Sequence, residues 1–208
     1  MSSASTQPVR RNLIAALFVS FGMVPGALHC ATLQQLSLDD MIVRSGSIVR
    51  GKVVNSWAAL TGSIIYTHYR IQVSESFKGP KQSVVEIMVP GGAVDNLQQN
   101  FSGSPALNTG DELVFFLWTS KAGVTWVTGL TQGLFALPPD AAAADRMAAD
   151  HIAADPMATR APTRELMLDP STARPVKDSA LSMRLSELRG RIARTLAAST
   201  LAAKGEAR

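Results

Sequence analysis

The sequence predicts a mainly β fold, a small barrel of five or six strands followed by an Ala/Pro-rich, partly helical C-terminal region. Residues 41–137 form short apolar segments that turn residues separate, which is typical of a compact all-β domain. Ile64 to Phe77 alternates strictly, with one apolar and one polar face. After Pro138-Pro139 alanine becomes dominant and the aromatic residues disappear. These observations predict a β-barrel domain over residues 32–137 and a C-terminal extension over residues 138–208.

The predicted strands follow from local composition. Gly46 and Gly51 interrupt the first segment at positions that suit bulges or close bends in a curled sheet. In the second segment, Ile65, Tyr69 and Ile71 lie on the face that we expect to be buried. Closure of the sheet into a barrel would remove exposed strand edges. The predicted strands are Met41 to Val54, Ile64 to Phe77, Val84 to Val89, Glu112 to Thr119, Val124 to Leu130 and Gly133 to Leu137.

The C-terminal extension contains three expected elements. Asp140 is a suitable N-cap for an Ala-rich helix over residues 141–153, and residues 165–176 form a possible hairpin around an Asp-Pro turn. The last element is an amphipathic helix with a single apolar stripe. That helix packs on its own barrel in the interpretation we favour; binding to a partner or to a membrane surface are the alternatives. The stripe consists of Leu181, Leu185, Leu188, Ile192 and Leu196.

The first 31 residues have the pattern of an export signal. Arg10 and Arg11 precede the apolar run Leu13 to Val24, which is too short to span a bilayer as a stable helix. Small residues follow Pro25, so we expect cleavage near Ala31 and an exported, periplasmic or extracellular protein. Cys30 is the single cysteine of the chain. Because His29 precedes it where a lipoprotein signal needs a small residue, we expect Cys30 to be lost with the signal rather than lipidated.

The charge of the chain argues against a nucleic-acid partner. Lys and Arg number 20 against 16 Asp and Glu, which gives a formal net charge of +4. Residues 32–137 carry seven of each sign, so the predicted barrel has no basic excess. Nucleic-acid binders have a clustered basic face with interleaved aromatic residues. No apolar run after residue 31 is long enough to span a membrane, so no transmembrane segment is expected in the mature chain.

The sequence contains no recognisable set of catalytic residues or metal ligands, and we expect no cofactor. His68 and His151 are the histidines after residue 31, and neither belongs to a recognisable catalytic or zinc-binding motif. We therefore expect a protein that is not an enzyme. An unrecognised hydrolase is the alternative, and convergence of His68 with Asp95, Asp111 and Glu112 in one pocket would favour it.

Candidate binding residues lie after the third predicted strand. Gly91 and Gly92 could bring backbone close to a ligand or partner, although a turn that leaves a strand is the interpretation we favour. The following loop, Ala93 to Leu107, is long and polar at its centre, and long loops on rigid barrels commonly carry binding. Asn96 lies in its polar part, and Phe101 is the expected apolar anchor.

This order of segments resembles uncharacterised secreted bacterial proteins. It is also distantly similar to the barrel of the tissue inhibitors of metalloproteinases and the related netrin-like domains. Phe77-Lys78-Gly79 and Gly110-Asp111-Glu112 match the Lys-Gly turn and the Gly-acidic-acidic step of those domains. The resemblance covers roughly residues 41–137 and implies an oligonucleotide/oligosaccharide-binding (OB) type of barrel. It also implies metalloproteinase inhibition through an N-terminal cysteine, for which Cys30 is the counterpart only if cleavage falls just before it.

These observations together predict an exported, non-enzymatic binding module. We expect a protein or glycan partner, no nucleic acid and no cofactor, with Gly91, Gly92, Asn96 and Phe101 as the binding residues.

Overall fold

A computed structural model describes residues 32–139 and 155–206 of the 208-residue chain. Cys30, His151, the export signal and the Ala-rich helix predicted over residues 141–153 lie outside the described residues. The strands are β1 (Thr32–Gln34), β2 (Ser47–Thr61), β3 (Ile64–Lys78), β4 (Val84–Pro90), β5 (Gly92–Val94), β6 (Leu97–Gln99), β7 (Glu112–Thr119), β8 (Thr125–Val127), β9 (Leu134–Ala136), β10 (Met157–Arg160), β11 (Leu166–Leu168), β12 (Pro175–Val176) and β13 (Leu181–Arg184). The helices are α1 (Leu38–Arg44) and α2 (Leu185–Glu206), and a 3-10 turn spans Leu130–Gly133.

One large antiparallel sheet dominates the structure, in the order β13-β10-β9-β7-β2-β3-β4, with β8 paired to β7. The prediction of a mainly β fold is therefore confirmed. The ladder between β2 and β3 contains register shifts, one of them between Val53 and Asn55. Bulges of this kind bend and twist a strand, so the sheet curls and β4 approaches β8. No ladder joins β4 to β8 in the described residues, and a closed barrel is not found there.

Each face of the curled sheet carries its own core. The first core cluster lies between the sheet, α1 and α2, and the second fills the inside of the curl. The first includes Met41, Ile42, Ile48, Val114, Phe116, Phe135, Leu185, Leu188 and Ile192. The second includes Val49, Val53, Tyr69, Ile71, Val85, Ile87, Val89, Leu113, Phe115, Leu117, Val127 and Leu134. Neighbouring residues such as Val114 and Phe115 enter different clusters because successive side chains of a strand point to opposite faces.

The expected strand from Met41 to Val54 is wrong in its first part, where α1 forms instead. Ser37 caps the helix: its hydroxyl accepts the Asp40 N–H at 3.0 Å, and the Asp40 side chain reaches back to the Ser37 backbone. Met41 and Ile42 then face the first core cluster. At its other end β2 runs past Val54 to Thr61 and turns at Gly62 into β3. The expected strand from Val124 to Leu130 is also shorter, because Gly129 has a φ of 66° and opens the 3-10 turn.

Beyond residue 138 the described chain continues the same structure. β10 pairs with β9 and β13, and a hairpin of β11 and β12 forms within residues 165–176. The domain boundary near 138 stays a prediction, but described residues on its two sides share one sheet and one core.

Helix α2 packs on its own domain, which is the interpretation the sequence favoured. Leu188 is fully buried in the first core cluster, whereas Leu181 belongs to β13 and not to the helix. Arg191 and Thr195 donate hydrogen bonds to Asp39 of α1, and the Arg191 guanidinium holds the pKa of that carboxyl at about 2. Among the described residues, no helix combines the length and the apolar character needed to cross a membrane.

Candidate functional site

The structure brings three of the four predicted binding residues together. Gly91, Gly92 and Phe101 line one shallow cavity of about 210 Å³ beside the end of β4. The Phe101 side chain is 40% exposed at its rim. Asn96 lies in the turn between β5 and β6 and is not part of this lining.

The two glycines serve contacts within the chain. Gly91 donates its N–H to the Ile65 carbonyl at 2.8 Å, and its own carbonyl accepts the Thr67 hydroxyl at 2.7 Å. Gly92 has a φ of 137°, and a Cβ atom there would lie 2.5 Å from Thr67 Oγ1. The close backbone approach expected at these glycines is therefore made to β3. Their identity needs no ligand to explain it.

The four residues whose convergence would favour a hydrolase lie in separate environments. His68 Nδ1 lies 3.1 Å from Glu86 Oε1, whereas Glu112 pairs with Arg50 at 2.7 Å in the protein interior. The carboxylate of Asp111 accepts the Asn108 N–H at 2.7 Å in a turn. Asp95 lies in the β5–β6 turn with a φ of 51°. Within the described residues, no group of three or more His, Cys, Asp or Glu side chains could hold a metal ion.

An aromatic band crosses the outer face of the curled sheet, and sequence reasoning did not find it. The chain has three tryptophans, and all three lie in this band rather than in either core cluster. Trp57 and Trp118 are 36% and 43% exposed. The band consists of Trp57, Tyr66, His68, Met88, Trp118 and Trp126, from β2, β3, β4, β7 and β8.

At one end of the band, Trp57 is held by its neighbours on β3. The Trp57 and His68 rings stack with centroids 5.1 Å apart and an interplanar angle of 10°. The Arg70 guanidinium lies over the Trp57 ring at 5.5 Å, a cation–π contact. Glu86 on β4 faces both His68 and Arg70, at 3.1 Å and 3.9 Å. These contacts fix the orientation of a partly exposed indole before any partner binds.

At the other end the band borders an apolar socket between β4 and β8. Trp118 and Trp126 face each other across β7 and β8 with centroids 6.4 Å apart, and the Tyr66 ring meets Trp126 edge-on at 5.7 Å. The socket has a volume of about 260 Å³ and no charged side chain in its lining. It is lined by Met88, Val89, Pro90, Pro105, Trp118, Trp126, Val127, Gly129 and Leu130.

The position of Trp57 explains why the band is absent from the sequence prediction. Val53 pairs with Ile71 on the inner face, and simple alternation from Val53 would place Trp57 on that face as well. The register shift between Val53 and Asn55 instead turns Trp57 to the outer face, opposite His68. The sequence offered one signal for this arrangement. The apolar stretch after Val54 continues to the turn at Gly62, which indicates that β2 is longer than the predicted strand.

Comparison of the chain with protein-family models and with curated proteins finds no match. A function must therefore be inferred from the geometry of the chain itself.

Proposed function

We propose that the protein is an exported, non-enzymatic interaction module that binds a partner protein through the aromatic band. The observation that carries the proposal is the position of all three tryptophans on one outer face, where Trp118 and Trp126 line an uncharged socket. Tryptophan, tyrosine and arginine dominate the energetic hot spots of protein interfaces, and methionine is enriched there as well. Contiguous exposed apolar patches commonly mark interaction sites.

The geometry favours a preformed interface. Trp57 is restrained by His68 and Arg70, so a partner that covers it loses little side-chain entropy. The socket beside Trp118 and Trp126 has room for one apolar side chain of the partner. Glu86 and Arg70 at the margin supply both charge signs for a polar rim.

The finer fold assignment belongs to the same proposal. We propose a partly open barrel of the OB type, as the resemblance to netrin-like domains implies. The order of β7, β2, β3 and β4 and the approach of β4 to β8 around the second core cluster support this assignment. Export is proposed from the basic and apolar pattern of residues 1–31. Metalloproteinase inhibition depends on Cys30, to which the geometry described here adds no support.

A glycan is the second candidate partner, favoured by the surroundings of Trp57. A partly exposed indole ring with Arg70 and Glu86 beside it offers both an apolar surface for a sugar ring and hydrogen-bonding groups for its hydroxyls. A single-stranded nucleic acid would also stack on aromatic rings, but it needs a groove of positive charge. The opposite charges of Arg70 and Glu86 do not supply one.

Site-specific photocrosslinking in the cells that produce the protein tests the proposal. A photoreactive residue replaces Met88, in the lining of the socket, or Leu201, which is 72% exposed on α2 and serves as the matched control. We expect one discrete protein adduct from position 88 and none from position 201. The adduct should disappear when Trp126→Ala is added to the position-88 variant, with folding verified by circular dichroism.

Three results would count against the proposal. Equal adducts from both positions, or no adduct from position 88, would reject the aromatic band as a protein-binding surface. Binding on a glycan array that Trp57→Ala abolishes, with Val43→Ala as the exposed control on α1, would replace the protein partner by a glycan. Turnover of esterase, glycosidase or peptidase substrates would reject a non-enzymatic role.

A further inference from the structure

A second cavity, larger than the socket of the aromatic band, adjoins that socket at Pro105, which lines both. It has a volume of about 550 Å³ and opens between the loop Gly103 to Leu107, the strands β7, β9 and β10, and the segment Ala161 to Glu165. This volume is within the range of sites that hold small molecules in proteins. None of the six side chains of the aromatic band contributes to its lining.

The apolar lining of this cavity is aliphatic. Its apolar side chains come from leucine, alanine and proline, and no aromatic ring contributes. Sugars and nucleobases are held largely by stacking on aromatic rings, which this lining does not offer. A flexible aliphatic chain gains free energy simply by leaving water, at roughly 25 cal/mol for each Å² of apolar surface that is buried. The lining therefore suits an aliphatic chain.

Two hydroxyl groups in the lining residues have no hydrogen-bond partner among the described residues. Ser104 Oγ and Thr131 Oγ1 are shielded from water and remain unpaired. Because an unsatisfied buried polar group is costly, such a group in a native structure calls for a water or a ligand. Because both oxygens lie beneath the cavity surface, a ligand atom would pair with them and remove this cost only if their side chains rotated towards it.

The charged groups of the lining argue for a ligand without net charge. Asp111 and Glu165 are negative and Arg164 is positive, so an ionic head group of either sign would meet a group of its own sign. Asp111 is also engaged by the Asn108 N–H. An uncharged hydroxyl, ester or amide avoids this repulsion and can pair with the hydroxyls of Ser104 and Thr131 once these side chains turn towards it.

We propose that this cavity binds an aliphatic chain that ends in a neutral, hydrogen-bonding group, such as an alcohol or an acyl ester. This inference goes beyond the proposed interaction module and does not depend on it. The chain lies along the leucine, proline and alanine side chains, and the polar end is placed near Ser104 and Thr131. Neither residue takes part in the aromatic band.

Titration of the full chain with 1-hexanol, 1-heptanol and 1-octanol, followed by nuclear magnetic resonance, tests the proposal. We expect Kd to fall about fourfold for each added methylene, which corresponds to roughly 0.8 kcal/mol per buried CH₂. Octanoate and octylamine, of equal chain length and opposite charge, should both bind more weakly than 1-octanol. Kd values independent of chain length, or tighter binding of either ion, would overturn the proposal.

Two variants locate the site. Ala161→Trp places a bulky side chain at an exposed position of the lining, so we expect binding of 1-octanol to be lost while the fold is kept. Ala198→Trp, at an exposed position of α2, is the matched control and should bind normally. Thr131→Val removes one hydroxyl partner and should weaken the binding of 1-octanol, whereas the dependence on chain length and the weaker binding of the two ions should remain. Unchanged binding in Ala161→Trp would place the alcohol elsewhere and overturn the assignment.

Discussion

Replacement of Leu188 by alanine tests whether α2 is part of the core. Leu188 is fully buried in the first core cluster together with Phe116 and Ile192. The substitution removes three carbon atoms, which cost about 2.4 kcal/mol at roughly 0.8 kcal/mol per buried CH₂. The cavity that remains adds to this, so we expect a loss of about 3–4 kcal/mol in the free energy of unfolding. For a chain of this size the loss lowers Tm by roughly 6–16 °C.

Urea denaturation followed by far-ultraviolet circular dichroism measures this free energy. Leu201→Ala on the same helix is the matched control, because Leu201 is exposed and should change stability by less than about 0.5 kcal/mol. The slope of the transition should be the same in both variants, since the folded state stays compact. If Leu188→Ala costs no more than Leu201→Ala, α2 is an appendage and the single-core description is refuted. Deletion of residues 181–208 should then leave the sheet folded, whereas we expect it to unfold the protein.

Three further predictions concern other parts of the fold. Glu112→Ala leaves Arg50 buried without its carboxylate and should cost about 3–5 kcal/mol in chemical denaturation, whereas an exposed pair would cost under about 1 kcal/mol. Gly92→Ala should destabilise the protein by about 1–3 kcal/mol more than Gly110→Ala. Both glycines have positive φ, but only at Gly92 would the new Cβ clash, so equal losses of Tm would contradict the argument. The lowered pKa of Asp39 stabilises the fold above pH 3.8, and this contribution is lost as the pH falls towards about 2. Because that carboxylate is well exposed, we expect a loss of only about 0.5–1 kcal/mol, and Asp39→Asn should reduce stability at pH 7 but not at pH 2.

The sequence predicted the strands whose pattern depends on neighbouring residues alone. In β3, Ile65, Tyr69 and Ile71 are buried as the alternation indicates. The apolar segment that forms β7 was also identified, with the bounds Glu112–Thr119. Helix α1 was not predicted because the apolar pair Met41 and Ile42 is as typical of the start of a strand as it is of a helix. The capping box at Ser37 was the local signal that distinguishes the two.

Features that depend on distant parts of the chain could not be predicted in this way. The pairing of β10 with β9 joins residues on the two sides of the alanine-rich segment, and composition alone separates them. The face on which Trp57 lies depends on the register between β2 and β3, which shifts between Val53 and Asn55. A shift of one residue moves every later side chain to the other face, so periodicity cannot locate the aromatic band. Gly91 and Gly92 could be singled out in the sequence because glycine often marks an unusual backbone conformation. In the structure that conformation brings the backbone close to β3.

The distribution of the two core clusters supports the proposed role of the aromatic band. Helices α1 and α2 cover the outer face of the sheet around Phe116 and Phe135, and the curl covers the inner face. The outer face near Trp57, Trp118 and Trp126 has neither cover among the described residues. An aromatic side chain whose role is only structural would contribute more to the free energy of folding if it were buried, since burial of a large aromatic side chain is among the strongest contributions to folding. Yet the register shift in β2 turns Trp57 outwards, and Arg70 and His68 hold it there. A local backbone feature that exposes an ordered indole therefore supports the proposal that a partner covers this face.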